Sequence, residues 1–147
     1  MQTICLIGGS GFLGRHVASA LCTRGIALRI PTRRRERVKP ELIVLPNTEV
    51  IEANINDPKV LSGMVSGCDA VINLTGILHE GSKGDFRQVH AELPRRIVDA
   101  CRGGGVTRLV HVSALKAAHD APSQYLRSKA EGEQQIRAAE ANGIQTT

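Results

Sequence analysis

The sequence predicts a doubly wound α/β domain on a parallel sheet, and three observations carry that reading. Short apolar runs alternate with helix-period segments along all 147 residues. The first run, Ile4 to Ile7, breaks directly into Gly8-Gly9-Ser10-Gly11-Phe12-Leu13-Gly14. After that turn the apolar positions change period, with Leu13, Val17, Ala20 and Leu21 on one helical face and Gly25 as a C-terminal cap. Alternation of this kind implies right-handed crossovers, a parallel sheet and a ligand crevice at the carboxyl ends of the strands. That is a Rossmann-like, three-layer α/β/α arrangement.

The remaining elements follow in order. Ile26 to Ile30 reads as the second strand, Pro31 to Lys39 as its basic exit, and the segment 38–48, punctuated by Pro40 and Pro46, admits a short helix. Val50 to Ala53 is a third strand. Asp57 caps a helix that has Pro58 at its first position and runs to Ser66. Ala70 to Leu74 is a fourth strand, and Thr75 to Gly84 a polar loop. A helical pattern resumes at Asp85, where Pro94 must kink or restart it, and ends at Gly103-Gly104-Gly105. Leu109 to Val112 is a fifth strand. Pro122 and Ser123 open a last helix, Gly143 closes it, and a sixth strand starts at Ile144. That strand has no covering helix, so the chain is expected to be the N-terminal part of a longer protein whose substrate-binding portion lies elsewhere.

Composition narrows the function. The net charge of +5 is concentrated in Arg29, Arg33, Arg34, Arg35, Arg37 and Lys39, which suits an anionic ligand. Aromatic residues are few (Phe12, Phe86 and Tyr125), so a stacking platform for single-stranded nucleic acid has little to build on. Cys5, Cys22, Cys68 and Cys101 are widely spaced, form no C-x-x-C pair and read as reduced core residues rather than metal ligands. Met1 leads straight into the first strand and no apolar run reaches the length of a membrane span, so a cytoplasmic location is expected.

The glycine turn reads as a phosphate cradle. One glycine allows a sharp turn, one lets backbone approach a pyrophosphate, and one lets the helix pack against the strand, while the helix N-terminus faces the anion. Gly9, Gly11 and Gly14 fit G-x-G-x-x-G, and Gly8, Gly11 and Gly14 fit G-x-x-G-x-x-G; both spacings remain open. After the second strand, where a carboxylate would hold the ribose hydroxyls of NAD, the residues are Thr32, Arg33 and Arg34. Arg33 and Arg34 therefore read as a site for the 2'-phosphate of NADP(H), against the alternative of a solvated basic face. Tyr125 and Lys129 are four apart on one helical face, and an ammonium beside a phenol favours proton transfer near neutral pH.

Taken in order, Gly8-x-x-Gly11-x-x-Gly14, Asn73-Leu74-Thr75-Gly76, His111-Val112-Ser113-Ala114 and Tyr125-Leu126-Arg127-Ser128-Lys129 resemble the short-chain dehydrogenase/reductase superfamily, extended or atypical branch. The chain is similar there to NAD-dependent epimerase/dehydratase-like proteins and to the nucleotide-binding accessory subunit of respiratory complex I, which is not known as a catalyst. The resemblance implies a cofactor site of Gly8, Gly9, Ser10, Gly11, Phe12, Leu13, Gly14, Arg33, Arg34, Asn54, Ile55, Asn73, Leu74, Thr75, Gly76 and Lys129. It implies catalysis by Tyr125, Lys129 and Ser113, with NADP(H) preferred, NAD(H) possible and an unknown small-molecule substrate. Three positions depart from the pattern. Ala114 stands where the epimerases carry a hydroxyl, and Asn54 where an acidic residue often meets adenine. His90 stands where relatives often carry an active-site asparagine, and it reads as a partly buried helix residue with one satisfied nitrogen. The competing expectations are an oxidoreductase or epimerase/dehydratase and a non-catalytic nucleotide-binding subunit, in a protein complex or homo-oligomer.

Overall fold

The computed structural model describes residues 1–147. Six parallel strands form one sheet in the order β3-β2-β1-β4-β5-β6. They are β1 (Thr3–Ile7), β2 (Ala27–Thr32), β3 (Thr48–Glu52), β4 (Ala70–Asn73), β5 (Arg108–His111) and β6 (Gln145–Thr146). The helices are α1 (Phe12–Cys22), α2 (Pro40–Ile43), α3 (Pro58–Val65), α4 (Asp85–Arg87), α5 (Leu93–Gly104) and α6 (Gln124–Ala138). The strand order reverses between β1 and β4, so the expected Rossmann-like sheet is present and its ligand crevice opens at their carboxyl ends.

The core lies in two layers. On one face Cys5, Ile7, Val71 and Leu109 pack with Leu61 of α3, Ile97 of α5 and Ile136 of α6; on the other, Ile4, Leu6, Leu28 and Ile30 pack with Ala18 of α1 and Leu42 of α2. This two-sided burial is what the continuous apolar runs anticipate. All four cysteines are buried free thiols, and burial pushes Cys5 and Cys101 up to about 12.

Two prolines mark where local chemistry moved the element bounds. β2 runs through Pro31 instead of stopping at Ile30. Arg29 is the last residue of β2 in register with β1, and residues of its parity turn their amides toward β1, so the missing N–H of Pro31 costs no ladder bond. Pro94 cannot donate to the carbonyl of His90, and its ring would strike that oxygen in a regular helix. The chain opens into a π turn over Gln88–Glu92 between α4 and α5. The freed carbonyl of His90 lies against α6 at Gly132, where an added Cβ would overlap it. Other bounds differ by a residue or two: β3 begins at Thr48, β4 ends at Asn73, β5 is Arg108–His111, and the short helix within 38–48 is α2.

Candidate dinucleotide site

The glycine turn joins β1 to α1, and each glycine is there for a different steric reason. Gly8 has φ +82° and lies against the Leu74 backbone, where a Cβ would come within 3.0 Å of the carbonyl carbon. Gly9 faces Ile30 Cγ2, which its Cβ would approach to 2.8 Å. Gly14, in the first turn of α1, sits so close to Gly8 and Gly9 that a Cβ would overlap their backbone. Gly11 is the helix N-cap, so no side chain caps the first turn, and no acidic residue occupies it. The open N-terminal amides and the dipole of α1 are thus available to an anion. Phe12 and Leu13 are exposed at this mouth, and the Arg15 guanidinium lies 5.8 Å from the Phe12 ring centroid.

At the β2–β3 edge Thr32 is buried, whereas Arg33, Arg34, Arg35 and Arg37 are exposed. Thr32 pairs with Glu52, whose carboxylate accepts the Arg35 N–H at 3.1 Å. Folding thus sets a carboxylate beside the arginines that lies distant in sequence, and only the parallel register brings it there. Asn54 follows β3, and its Oδ1 accepts the Asn56 N–H at 3.1 Å, closing a turn before the Asp57 cap. Ile55 is half-buried against the core.

Asn73, at the carboxyl end of β4, is completely buried. Its Oδ1 accepts from the Thr75 N–H (3.1 Å) and the Thr75 hydroxyl (2.6 Å), and its Nδ2 donates to His111 Nδ1 at 3.0 Å. Asn73 therefore fixes the loop at Leu74, Thr75 and Gly76 against β1 and β5 rather than presenting its amide to the crevice. Burial and the Lys129 ammonium push His111 down to about 4, which matches a neutral ring accepting from Asn73.

The β5–α6 end holds Tyr125, Lys129 and Ser113. Ser123 caps α6, its hydroxyl accepting the Leu126 N–H at 3.1 Å, and this places Tyr125 in the first turn. Tyr125 is half-buried, its ring edge-on to Phe86 (5.9 Å between centroids) and to His90 (5.4 Å). Lys129 is 3% exposed, and its Nζ donates to the Val112 carbonyl at 2.8 Å. Burial lowers its pKa. Gly76 stands over it, with the Cβ position 3.9 Å from Nζ. Ser113 Oγ is buried without a hydrogen-bond partner. It lies near Glu133, whose carboxyl is held below its usual range by the Arg137 guanidinium at 2.7 Å.

His90 is 1% exposed and bonded at both nitrogens, where the sequence suggested one. Nε2 accepts the Ile77 N–H at 3.0 Å, and Nδ1 donates to Ser128 Oγ at 2.9 Å. Ser128 passes its own proton to the Tyr125 carbonyl at 2.8 Å. This fixes the neutral Nδ1–H tautomer. Burial, then Lys129, push its pKa down to about 4. Sequence reasoning passed over Glu52, Ser128, Ile77 and Gly132; of these only Gly132, a glycine inside a helix, carried a sequence signal.

A glycine cradle at the switch point of a 3-2-1-4-5-6 sheet is a dinucleotide geometry, and the sequence model of the NAD(P)H-binding family matches residues 8–144. The chain belongs to the NAD(P)H-binding family. It is 30% identical over 141 residues to a ceramide reductase of Caulobacter vibrioides, covering 96% of this chain and 44% of that protein. It is 35% identical over 138 residues to the mitochondrial NADH dehydrogenase [ubiquinone] 1 alpha subcomplex subunit 9 of Mus musculus, covering 90% of this chain and 36% of that one. The chain thus spans less than half the length of these curated relatives. Among solved structures, a uronate dehydrogenase from Agrobacterium tumefaciens superposes with a TM-score of 0.80 at 25% identity over 99% of this chain and 59% of that one. The family bears out the resemblance to extended short-chain dehydrogenases and to the complex I subunit. No helix here is long and apolar enough to cross a membrane.

Proposed function

We propose that this chain is the NADP(H)-preferring cofactor domain of a short-chain dehydrogenase/reductase-type oxidoreductase or epimerase/dehydratase, cytoplasmic, with the substrate-binding portion of the protein lying outside residues 1–147. The observation that carries the reading is Lys129: a buried ammonium at the carboxyl edge of β5 that spends one donor on Val112 and sits under Gly76, one helical turn from Tyr125. Burying a cation costs stability, and a ligand with hydroxyl acceptors at this point offsets that cost.

The cradle of Gly8, Gly9, Ser10, Gly11, Phe12, Leu13 and Gly14 fits a pyrophosphate, because its glycines leave backbone amides with no Cβ in the way. Arg33 and Arg34 would receive the 2'-phosphate, Asn54 and Ile55 would meet the adenine, and Leu74, Thr75 and Gly76 would line the nicotinamide half. When bound, the nicotinamide supplies or accepts a hydride. Tyr125 hands a proton to or from the substrate oxygen, Lys129 would hold the ribose, and Ser113 orients the substrate oxygen. A second reading, a non-catalytic nucleotide-binding subunit, is favoured by Ala114 and by the similarity to the mouse NADH dehydrogenase [ubiquinone] subunit.

Calorimetric titration with NADPH, together with turnover by the longer parent protein, separates the readings. Tyr125→Phe should abolish the chemical step and leave NADPH affinity within about twofold, whereas Lys129→Ala should damage both. Equal, mild losses of turnover from the two would leave the subunit reading.

A further inference from the structure

The His90 ring is hydrogen-bonded both to the loop after β4 and to α6. One nitrogen holds the Ile77 amide and the other holds Ser128, which in turn bonds the Tyr125 carbonyl. Its faces are packed as tightly as its edges. Phe86 stacks on it at 5.4 Å with 17° between the planes, and Tyr125 meets it edge-on. The backbone under it is fixed by the π turn and by Gly132, whose missing side chain lets α6 approach the His90 carbonyl.

That arrangement has a functional address. Ile77 directly follows Gly76, and a Cβ on Gly76 would lie 3.8 Å from His90 Nε2 and 3.9 Å from Lys129 Nζ. The loop that covers Lys129 and the helix that carries Lys129 and Tyr125 are therefore registered to one another through a single imidazole. Asn73 anchors the start of this loop at Thr75, and beyond Thr75 the bond from the Ile77 N–H to His90 is the one hydrogen bond that leads toward α6, so its loss frees the loop at Ile77.

Resting on the assignment of the crevice to NAD(P)(H), we propose that His90 is a positioning residue: through Ile77 and Ser128 it sets the loop at Thr75–Ile77 at a fixed height over Lys129 and Tyr125, and so determines how tightly the nicotinamide half of the dinucleotide is held. It touches neither cofactor nor substrate. The adenosine half, at the β2–β3 edge, is outside its reach.

Two amide variants cut the two bonds separately. In His90→Asn the amide nitrogen falls where imidazole Nδ1 lies, keeping Ser128 and releasing Ile77; in His90→Gln the amide falls where Nε2 lies, keeping Ile77 and releasing Ser128. The probes are NADH, which spans the whole crevice, and ADP, which lacks the nicotinamide half, titrated against wild type and both variants. The expected result is an NADH Kd raised about tenfold in His90→Asn and about threefold in His90→Gln, with ADP affinity within about twofold throughout. Amide exchange at Ile77 should accelerate in His90→Asn and stay slow in His90→Gln. Equal losses of NADH and ADP, or no loss of either, overturn the proposal and leave His90 a core residue. If His90→Asn does not fold, Ser128→Ala removes the other end of the tie with the ring intact: a severalfold loss confined to NADH supports the proposal, and none overturns it. Wild-type protein that binds neither NADH nor ADP removes the dinucleotide reading itself, a distinct failure.

Discussion

Arg33 and Arg34 stand in solvent at the end of β2, while Lys129, at the other end of the same crevice, is 3% exposed and bonded to the Val112 carbonyl. Both ends offer positive charge to one kind of ligand, yet they are built differently. The exposed arginines keep their full hydration, so they cost the fold little and any attraction they exert is screened by salt. The buried lysine, with neutral His90 and His111 around it, is desolvated, so it costs stability and its attraction is screened far less. Mutations at the first end should therefore move selectivity and salt dependence, and mutations at the second should move stability and geometry.

The largest effects belong to the glycines that let the crevice and its buried end close. Gly14→Ala forces a Cβ into the backbone of Gly8 and Gly9, and dinucleotide binding should fall below detection by calorimetry. Gly132→Ala drives a Cβ into the His90 carbonyl and should destabilise the chain by about 3 kcal/mol or more. Gly63→Ala, in α3 where a Cβ meets nothing within 4 Å, should instead stabilise it by about 0.5 to 1 kcal/mol. Thermal melts of the three variants check this. A mild Gly132→Ala would mean that α6 can move away from the π turn, and the buried end would then be less rigid than its packing implies.

These glycines also show how far the sequence could be read. The Gly8 to Gly14 spacing was legible because strand, turn and helix are contiguous, and so were the first five strands, each carrying Val, Ile or Leu between turn residues, whereas the sixth was announced by Ile144 alone. The Tyr125 and Lys129 pair was legible because helical period alone puts both on one face. Glu52 beside the arginines depends on the β2–β3 register, and the bonds of His90 depend on how α6 lands on the π turn. No local pattern encodes such docking. Pro94 announced a kink or restart of the helix, and the break is a π turn whose His90 carbonyl lies against Gly132, a contact no local pattern encodes.

Acid should act on the buried end alone. His90 and His111 titrate near 4 in the folded protein and near 6.5 when unfolded. Between these values the unfolded chain binds more protons, so stability is fully present above about 6.5 and is lost as pH falls toward 4. Below that the loss levels off. Linkage puts the loss at up to about 3 kcal/mol from His90 alone. Urea denaturation at a series of pH values should show this slope in wild type and a shallower one in His90→Asn. An unchanged slope would mean that the ring is solvated in solution.

The smallest effect, cofactor choice, tests the exposed end. A 2'-phosphate would meet Arg33 and Arg34 in forked, charge-assisted hydrogen bonds, and from residue type alone one such contact suggests a ten- to hundredfold preference for NADPH over NADH. Their exposure moves that expectation to the lower end, about tenfold at low salt and less as salt rises. Glu52 would work against it: a carboxylate at the same edge would repel a phosphate and accept from ribose hydroxyls, although the Arg35 N–H already occupies one of its oxygens. Arg33→Ala should erase most of the NADPH preference while NADH affinity changes little. Glu52→Gln should widen the preference by removing the repulsion and weaken NADH slightly. Titrating both nucleotides against wild type and the two variants at low and high salt decides which charge governs the edge. Wild-type affinities that are equal, or losses on Arg33→Ala that are the same for both nucleotides, would make the arginine run solvated charge and leave Glu52 to set the cofactor.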